Sequence, residues 1–174
     1  MQAQVGGGKM LGISNLDIEE ILFSEKAQSF MNNCTAIGFS GVFSSNNLPS
    51  KLIKKNCFSL ICNLSRDTEP GTHFITIIFY STYIFYIDSL GLPCLNKDVR
   101  NYLDHFNLPI MCNSQQIQDS QSVFCGFFCI LFILFNEARR DDKKKLVALE
   151  WNTKLDCLKL NDEKCIQNIC DLLK

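Results

Sequence analysis

The chain has 174 residues, of which 47% are hydrophobic and 20% are charged, and its formal net charge is −1. A chain of this length buries roughly 70% of its unfolded surface in one domain, so the composition indicates a globular protein with a substantial core. The balanced charge provides no global field that would attract nucleic acid. The longest apolar run is shorter than the ~20 residues needed to cross a bilayer, so no membrane partner is expected.

The domain organisation is expected to be simple. Residues 1–13 are Gly-rich and predict a flexible N-terminal tail, and residues 14–174 predict a single domain, expected to be a monomer. The tail has no apolar segment typical of a secretory signal peptide. The ten cysteines therefore indicate free thiols in a reducing compartment. Their spacing does not fit zinc ligands, so no metal is expected.

The first predicted elements are a helix and a strand. Ser14-Asn15-Leu16-Asp17 is typical of a capping box and predicts a helix that continues to about Met31. Residues 57–63 predict a strand. After a hairpin, the predicted elements are a surface helix near 96–106 that contains His105, a short strand at 109–112, a buried helix within 124–135, and two C-terminal helices near 142–150 and 161–173. Together they predict an α+β fold with a small, mainly antiparallel sheet and the buried helix packed against it.

The predicted hairpin brings two titratable side chains together. Residues 73–80 and 83–88 are β-branched and aromatic, and a two-residue turn between them would pair Ile75 with Asp88. His73 and Asp88 would then lie diagonally, with Cβ atoms about 7 Å apart or less, so that a carboxylate could hold an imidazole. A three-residue turn would break this parity. The alternative is that His73 is an edge residue and Asp88 only begins a turn.

The buried helix begins near a candidate nucleophile, Cys125. A helix N-terminus beside an imidazole lowers the pKa of a thiol toward the reactive thiolate. Gly126 follows and would let the backbone approach a substrate. The amide of Gln118 and the backbone N–H of Cys125 could together hold an oxyanion. The alternative is that Cys125 is a small buried hydrophobe. The pattern favours a cysteine hydrolase with the order His73, Asp88, Cys125.

Three segments match one protease family in their order along the chain. They are Gly71-Thr72-His73-Phe74, Tyr86-Ile87-Asp88-Ser89-Leu90-Gly91 and Gln118-x6-Cys125-Gly126-x2-Cys129. With the segment 41–49, they make the chain similar to the adenovirus maturation protease (adenain) family, which has relatives in other DNA viruses and virus-like transposons. More distantly, the chain resembles the SUMO-deconjugating Ulp proteases. The seven-residue spacing from Gln118 to Cys125 matches the adenain pattern, whereas Phe74 replaces its tryptophan and Asp88 its glutamate.

The resemblance implies the adenain/Ulp-like fold and a thiol endopeptidase with His73, Asp88, Cys125 and Gln118 in its site. Phe74 and Gly126 are then expected to bind substrate. The implied substrates are structural capsid or core precursors, cleaved at Gly-containing sites during virion maturation. The implied location is the host nucleus or cytoplasm and the virion.

No cofactor is implied for the chemistry itself. Family members use a viral peptide and DNA as activators, and both remain open for this chain. Cys112 is the nearest candidate for a peptide bridge, but it stands closer to Gln118 than the resemblance requires. A nucleic-acid partner likewise stays open.

Three further points remain alternatives or hypotheses. The same chemistry would suit a protease that deconjugates ubiquitin-like proteins, and an inactive interaction module could use the same fold. The segment Val5-Gly6-Gly7-Gly8 is similar to adenain cleavage sites and suggests trimming of the N-terminus, with a plain linker as the alternative.

Overall fold

The computed structural model describes residues 12–34, 38–50, 57–138, 165, 167 and 169–171. Most of the predicted tail, including Val5 to Gly8, and the predicted helix near 142–150 lie outside the described residues. Residues 165, 167 and 169–171 are helical, as expected for the last predicted helix. In the described parts of the chain, no helix is long and apolar enough to cross a bilayer.

The described helices and strands alternate irregularly along the chain. They are α1 (Asn15–Leu22), α2 (Glu25–Cys34), β1 (Gly38–Ser44), β2 (Phe58–Asn63), β3 (Phe74–Phe79), β4 (Ile84–Ile87), α3 (Lys97–Asp104), β5 (Ile110–Cys112) and α4 (Cys125–Ala138). The five strands form one sheet in chain order. Its central pairings are antiparallel, and its two outer pairings are parallel. The predicted α+β class is confirmed.

The N-terminal helix predicted to continue to Met31 is divided into α1 and α2. The predicted capping box is present, because Ser14 Oγ accepts from the Asp17 N–H at 3.3 Å and the Asp17 carboxylate accepts from the Ser14 N–H at 3.0 Å. Ser24 then caps a second helix, since its Oγ accepts from the Ala27 N–H at 3.3 Å. The prediction of one continuous helix was wrong because a serine inside the pattern offers the backbone a competing cap.

Strand β1 was not predicted from the sequence. Its residues pair in parallel with β2, with an irregularity between Phe39 and Val42. Gly41 lies there at φ 134°, and the Val42 N–H donates to Glu19 Oε1 at 2.9 Å. Glycine and serine make up four of the seven positions of this strand, and both lack the packing side chains that give a strand its sequence signal. The position of this strand is therefore determined by its pairing with β2 and its contact with Glu19, and not by its own sequence.

The predicted hairpin is confirmed in its register. Phe79 pairs with Ile84 and Thr76 with Ile87, and the Tyr80 N–H donates to the Tyr83 carbonyl at 2.9 Å. These pairs require the two-residue turn at 81–82. Residue 73 directly precedes β3 and residue 88 directly follows β4, so both lie at the open end of the hairpin.

The sheet separates two apolar cores. Alternate residues of β3 contribute to each, as expected for the period of two in a strand: Phe74 and Ile78 to the core shared with α1, α2 and α4, and Ile75, Ile77 and Phe79 to the core shared with α3. Cys165 and Ile169 belong to the first core. The part of α4 from Phe128 to Leu134 is apolar on all sides and buried, as expected for a helix inside a core.

The turn after β4 contains a glycine whose replacement we expect to destabilise the fold. Gly91 has φ 69°, and a Cβ on it would lie 2.7 to 2.9 Å from backbone atoms of Gln115 and Gln116. Gly91→Ala should therefore combine left-handed strain of ~1–2 kcal/mol with overpacking of ~1–3 kcal/mol. The measurement is the free energy of unfolding in urea.

Asn107→Ala provides a matched control, because Asn107 is exposed and has φ 50°. It should show the backbone strain without the overpacking. Equal losses for the two variants would contradict the close approach of Gly91 to residues 115–116.

Candidate active site

A cleft of about 730 Å³ opens between the start of α1, the loop after β2 and the start of α4. Four of the residues singled out from the sequence line it, namely His73, Phe74, Gln118 and Cys125. Asp88 lies behind His73 and is only 1% exposed. The fold therefore gathers into one cleft residues that the sequence separates by 52 positions, from residue 73 to residue 125.

The imidazole of His73 and the carboxylate of Asp88 are in direct contact. His73 Nε2 and Asp88 Oδ1 are 2.8 Å apart, and the two side chains are 15% and 1% exposed. The Leu90 N–H donates to the same Oδ1 at 2.7 Å. A buried carboxylate needs such partners because it has lost its hydration. The Cys125 side chain also interacts with this ring.

The surroundings of His73 favour its protonated form. Burial by itself lowers the pKa of this imidazole, but the hydrogen bonds to Asp88 and Cys125 and their negative charges outweigh burial. The pKa of His73 consequently rises from 6.5 to about 9. At neutral pH His73 is therefore held as an imidazolium between Asp88 and Cys125.

Cys125 is the first residue of α4 and is 8% exposed. Its side chain therefore lies at the N-terminal end of the helix, on the wall of the cleft. Cys129, one turn later, is fully buried, and burial raises the pKa of its thiol well above the usual value. The Cys129 thiol therefore stays protonated. Of these two cysteines, only Cys125 meets both the imidazole and the cleft.

Gln118 is fixed by hydrogen bonds at both ends of its amide. Ser89 Oγ donates to Gln118 Oε1 at 2.5 Å, and Gln118 Nε2 donates to the Ser122 carbonyl at 2.8 Å. A second, longer contact joins Nε2 to Ser122 Oγ at 3.3 Å. The N–H of Nε2 that makes the weaker bond, to Ser122 Oγ, could instead donate to an oxyanion. Gln118 is 3% exposed and lines the same cleft as Cys125.

Asn113 is a site residue that the sequence reasoning missed. Its Oδ1 accepts from the Asp88 N–H at 2.8 Å, and its Nδ2 donates to the Asp88 carbonyl at 2.7 Å. Asn113 is 2% exposed. This paired contact fixes the backbone of Asp88 and makes Asn113 a positioning residue for the carboxylate. A single asparagine after a short strand carries no signal of such a long-range pairing.

Gly126 and Phe74 pack together beneath the cleft. A Cβ on Gly126 would collide with Ile13 Cγ2 and lie 3.0 Å from Ile18 Cδ1 and 3.5 Å from Phe74 Cδ2. The absent side chain of Gly126 therefore makes room for protein side chains. Phe74 is 7% exposed but still borders the cleft. Contact of either residue with substrate stays a prediction.

Two other candidates lie apart from this cleft. His105 caps the C-terminus of α3, and its Nδ1 pairs with the Asn101 carbonyl. Cys112 ends β5 at the sheet edge, and burial raises the pKa of its thiol despite a hydrogen bond with the Cys94 backbone. A peptide bridge through Cys112 stays a prediction. Cys62, Cys94, Cys112, Cys125, Cys129 and Cys170 are free thiols. The described residues contain no group of three or more potential metal ligands.

Comparison with known proteins identifies a similar fold. No family model matches the sequence, and no curated protein does. Among solved structures, the selenomethionine crystal structure of the ASFV pS273R protease aligns over 94% of this chain and 68% of its own, with a TM-score of 0.58 and 15% sequence identity. The chain therefore shares the fold of a viral protease.

Proposed function

We propose that this chain is a cysteine endopeptidase in which Cys125 is the nucleophile, His73 the proton carrier and Asp88 the residue that orients His73. The observation that carries the proposal is the 2.8 Å contact of His73 with a buried Asp88, together with the interaction of the same ring with Cys125 in one cleft. The arrangement has the geometry of a nucleophile, a base and a third group that orients the base. The similar fold of the ASFV protease supports it.

The first half of the reaction follows from this geometry. The Cys125 thiolate attacks the scissile carbonyl carbon, and a C–S bond forms while the carbonyl electrons move onto oxygen. The Gln118 amide and the Cys125 backbone N–H donate to that oxyanion. The imidazolium of His73 then gives its proton to the leaving amine as the C–N bond breaks. An acyl-enzyme thioester remains.

The second half returns the site to its starting state. His73, now neutral, removes a proton from a water molecule, and the resulting hydroxide attacks the thioester carbonyl. The C–S bond breaks, the product acid leaves, and Cys125 is again a thiolate beside imidazolium. Asp88 stabilises the imidazolium at both stages without taking its proton.

We further propose that the substrates are structural precursor proteins of a virus or virus-like transposon, cleaved at Gly-containing sites during particle maturation in the host cell. The proposal rests on the sequence resemblance to adenain-like proteases, and the fold shared with an ASFV protease is consistent with it. Mapping of cleavage sites in a proteome-derived peptide mixture tests it. Cleavage confined to the C-terminus of folded ubiquitin-like proteins would instead identify a deconjugating protease.

Cys125→Ala and His73→Ala should each abolish peptide cleavage without unfolding the protein, since thiolate attack needs both the sulfur and its base. The measurement is turnover of a peptide identified by cleavage-site mapping. Cys129→Ala is the matched control, one helical turn away in the buried core, and should keep its turnover. Normal turnover by Cys125→Ala would remove this cysteine from the mechanism.

Asp88→Asn should shift the alkaline limb of the pH profile of kcat/KM to lower pH. The pKa of His73 is raised in the folded protein, so the imidazolium persists through neutral pH and is lost as the pH rises through about 9. Loss of the Asp88 charge removes one cause of the rise and should lower the limb by ~1–3 pH units. Turnover should fall, but less than in His73→Ala.

Asp104→Asn makes the same chemical change on α3, where Asp104 pairs with Arg100 and is 53% exposed. It should leave the pH profile unchanged. A shared shift in both variants would show that the alkaline limb does not report the contact between His73 and Asp88.

Gln118→Glu should lower kcat by about 10²- to 10³-fold, or ~2.7–4 kcal/mol of barrier, by analogy with other oxyanion donors. Glutamate retains an oxygen that accepts from Ser89 but has no N–H to donate. Ser89→Ala is the control, because it removes the hydrogen bond to Gln118 Oε1 and keeps the amide donor. A Gln118→Glu enzyme with unchanged kcat would exclude Gln118 from the oxyanion site.

A further inference from the structure

Asn63 is the last residue of β2 and lies directly beside the site. It pairs with Phe74 across the β2–β3 ladder, and the next residue, Leu64, donates its N–H to the His73 carbonyl at 2.8 Å. Asn63 is 7% exposed and lines the cleft that also contains Cys125. The sheet therefore holds this side chain on a rigid element next to the catalytic histidine.

One end of the Asn63 amide is fixed by the protein. Its Oδ1 accepts from the Ser65 N–H at 3.1 Å and from the Thr72 N–H at 3.4 Å. These two bonds tie together both ends of the loop that joins β2 to β3. Because the amide group is planar, they also fix the direction of its nitrogen.

The other end of the amide has no partner within the described chain. No described residue accepts a hydrogen bond from Asn63 Nδ2, although the side chain is more than nine-tenths buried. The nitrogen itself is not among the fully buried polar atoms, so it can donate to water or to a ligand in the cleft. The position of Nδ2 on the wall of the cleft points to an acceptor supplied by a ligand.

Gly71 keeps this donor accessible. A Cβ on Gly71 would lie 2.6 Å from Asn63 Nδ2, so any larger residue would occupy the space in front of the amide nitrogen. Gly71 also lines the cleft, and its φ lies outside the left-handed region. The absence of a side chain at position 71 is thus explained by access to Nδ2, since the backbone conformation there suits other residues.

We propose that Asn63 Nδ2 donates a hydrogen bond to a main-chain carbonyl of the extended peptide substrate, and that Gly71 keeps that site open. The inference rests on the proposed peptidase function and adds a substrate-binding residue to it. The nitrogen can only donate, so the substrate group must be an acceptor. Arg66, Asp67 and Glu69 line the same cleft, and Arg66 is already paired with Asp98, so the two carboxylates disfavour an anionic acceptor. A main-chain carbonyl is the neutral acceptor that every extended peptide offers.

Two variants test the contact in different ways. Asn63→Asp keeps an oxygen for the Ser65 and Thr72 N–H groups but removes the donor. Gly71→Ala leaves Asn63 intact and fills the space in front of its nitrogen. Each should raise KM for a cleaved peptide by about 3- to 10-fold with a smaller change in kcat. Asn101→Asp, at an exposed position on α3, is the matched control and should behave as wild type.

The rate of Cys125 alkylation by iodoacetamide separates this contact from damage to the site. It should be unchanged in both variants, because the thiolate and His73 do not depend on the substrate contact. A fall in alkylation that parallels the loss of cleavage would overturn the proposal, since it would show that Asn63 supports the catalytic residues.

A scan of the substrate identifies the carbonyl that Asn63 contacts. Each carbonyl oxygen of the peptide is replaced in turn by sulfur, a poorer acceptor, and KM is measured with wild type and with Asn63→Asp. Sulfur at one peptide position should raise KM for the wild-type enzyme and cause no further rise in KM for Asn63→Asp. Wild-type KM values in both variants, with cleavage still dependent on Cys125, would overturn this inference alone. Absence of any Cys125-dependent cleavage would overturn the proposed function.

Discussion

The two-residue turn at 81–82, between β3 and β4, is the constraint on which the candidate site depends. Side chains in a strand alternate between faces, so a slip of one residue would place His73 and Asp88 on opposite faces of the hairpin. The observed register, with Phe79 opposite Ile84, leaves both residues at the open end of the hairpin and 2.8 Å apart. The hydrogen bonds of Asp88 with Leu90 and Asn113 extend from this pair.

Burial strengthens the interaction between His73 and Asp88, and it also requires hydrogen-bond partners that replace the lost hydration of the carboxylate. Asp88 is 1% exposed, and its carboxylate keeps a hydrogen bond from His73 and one from the Leu90 N–H in exchange for water. In such surroundings charges interact more strongly than in water. The pKa of His73 therefore rises to about 9 even though burial alone would lower it. The same environment would penalise Asp88 if its partner were removed.

The acid and the proposed oxyanion donor are joined by one short network. The Ser89 carbonyl, one residue after Asp88, accepts from the Ile117 N–H at 2.8 Å and from the Gln118 N–H at 2.9 Å. Ser89 Oγ reaches the Gln118 side chain, and Asn113 pairs with the Asp88 backbone. A displacement of the turn at 88–91 would therefore move the carboxylate and the amide together. Gly91, packed against the backbone of residues 115–116, limits that displacement.

The sequence by itself determined the local features of this protein. The hairpin, its register and the start of the Ser14-capped helix follow from turn length, alternation and capping within a few residues. The cysteine at the start of α4 was likewise visible as a polar loop that meets an apolar run. Such features depend on residues that are close together in the chain, so the sequence shows their physical causes directly.

Only the tertiary structure decided the contacts between distant segments. Asn113 is 25 residues from Asp88. Nothing near it in the chain indicates that its amide hydrogen-bonds to the backbone N–H and carbonyl of Asp88. The missing side chain of Gly126 makes room for Ile13, which is more than 100 positions away in the chain. The parallel pairing of β1 also has no local signal. These features depend on which side chains the packed sheet brings together, because hydrogen bonds and packing act over space and not along the sequence.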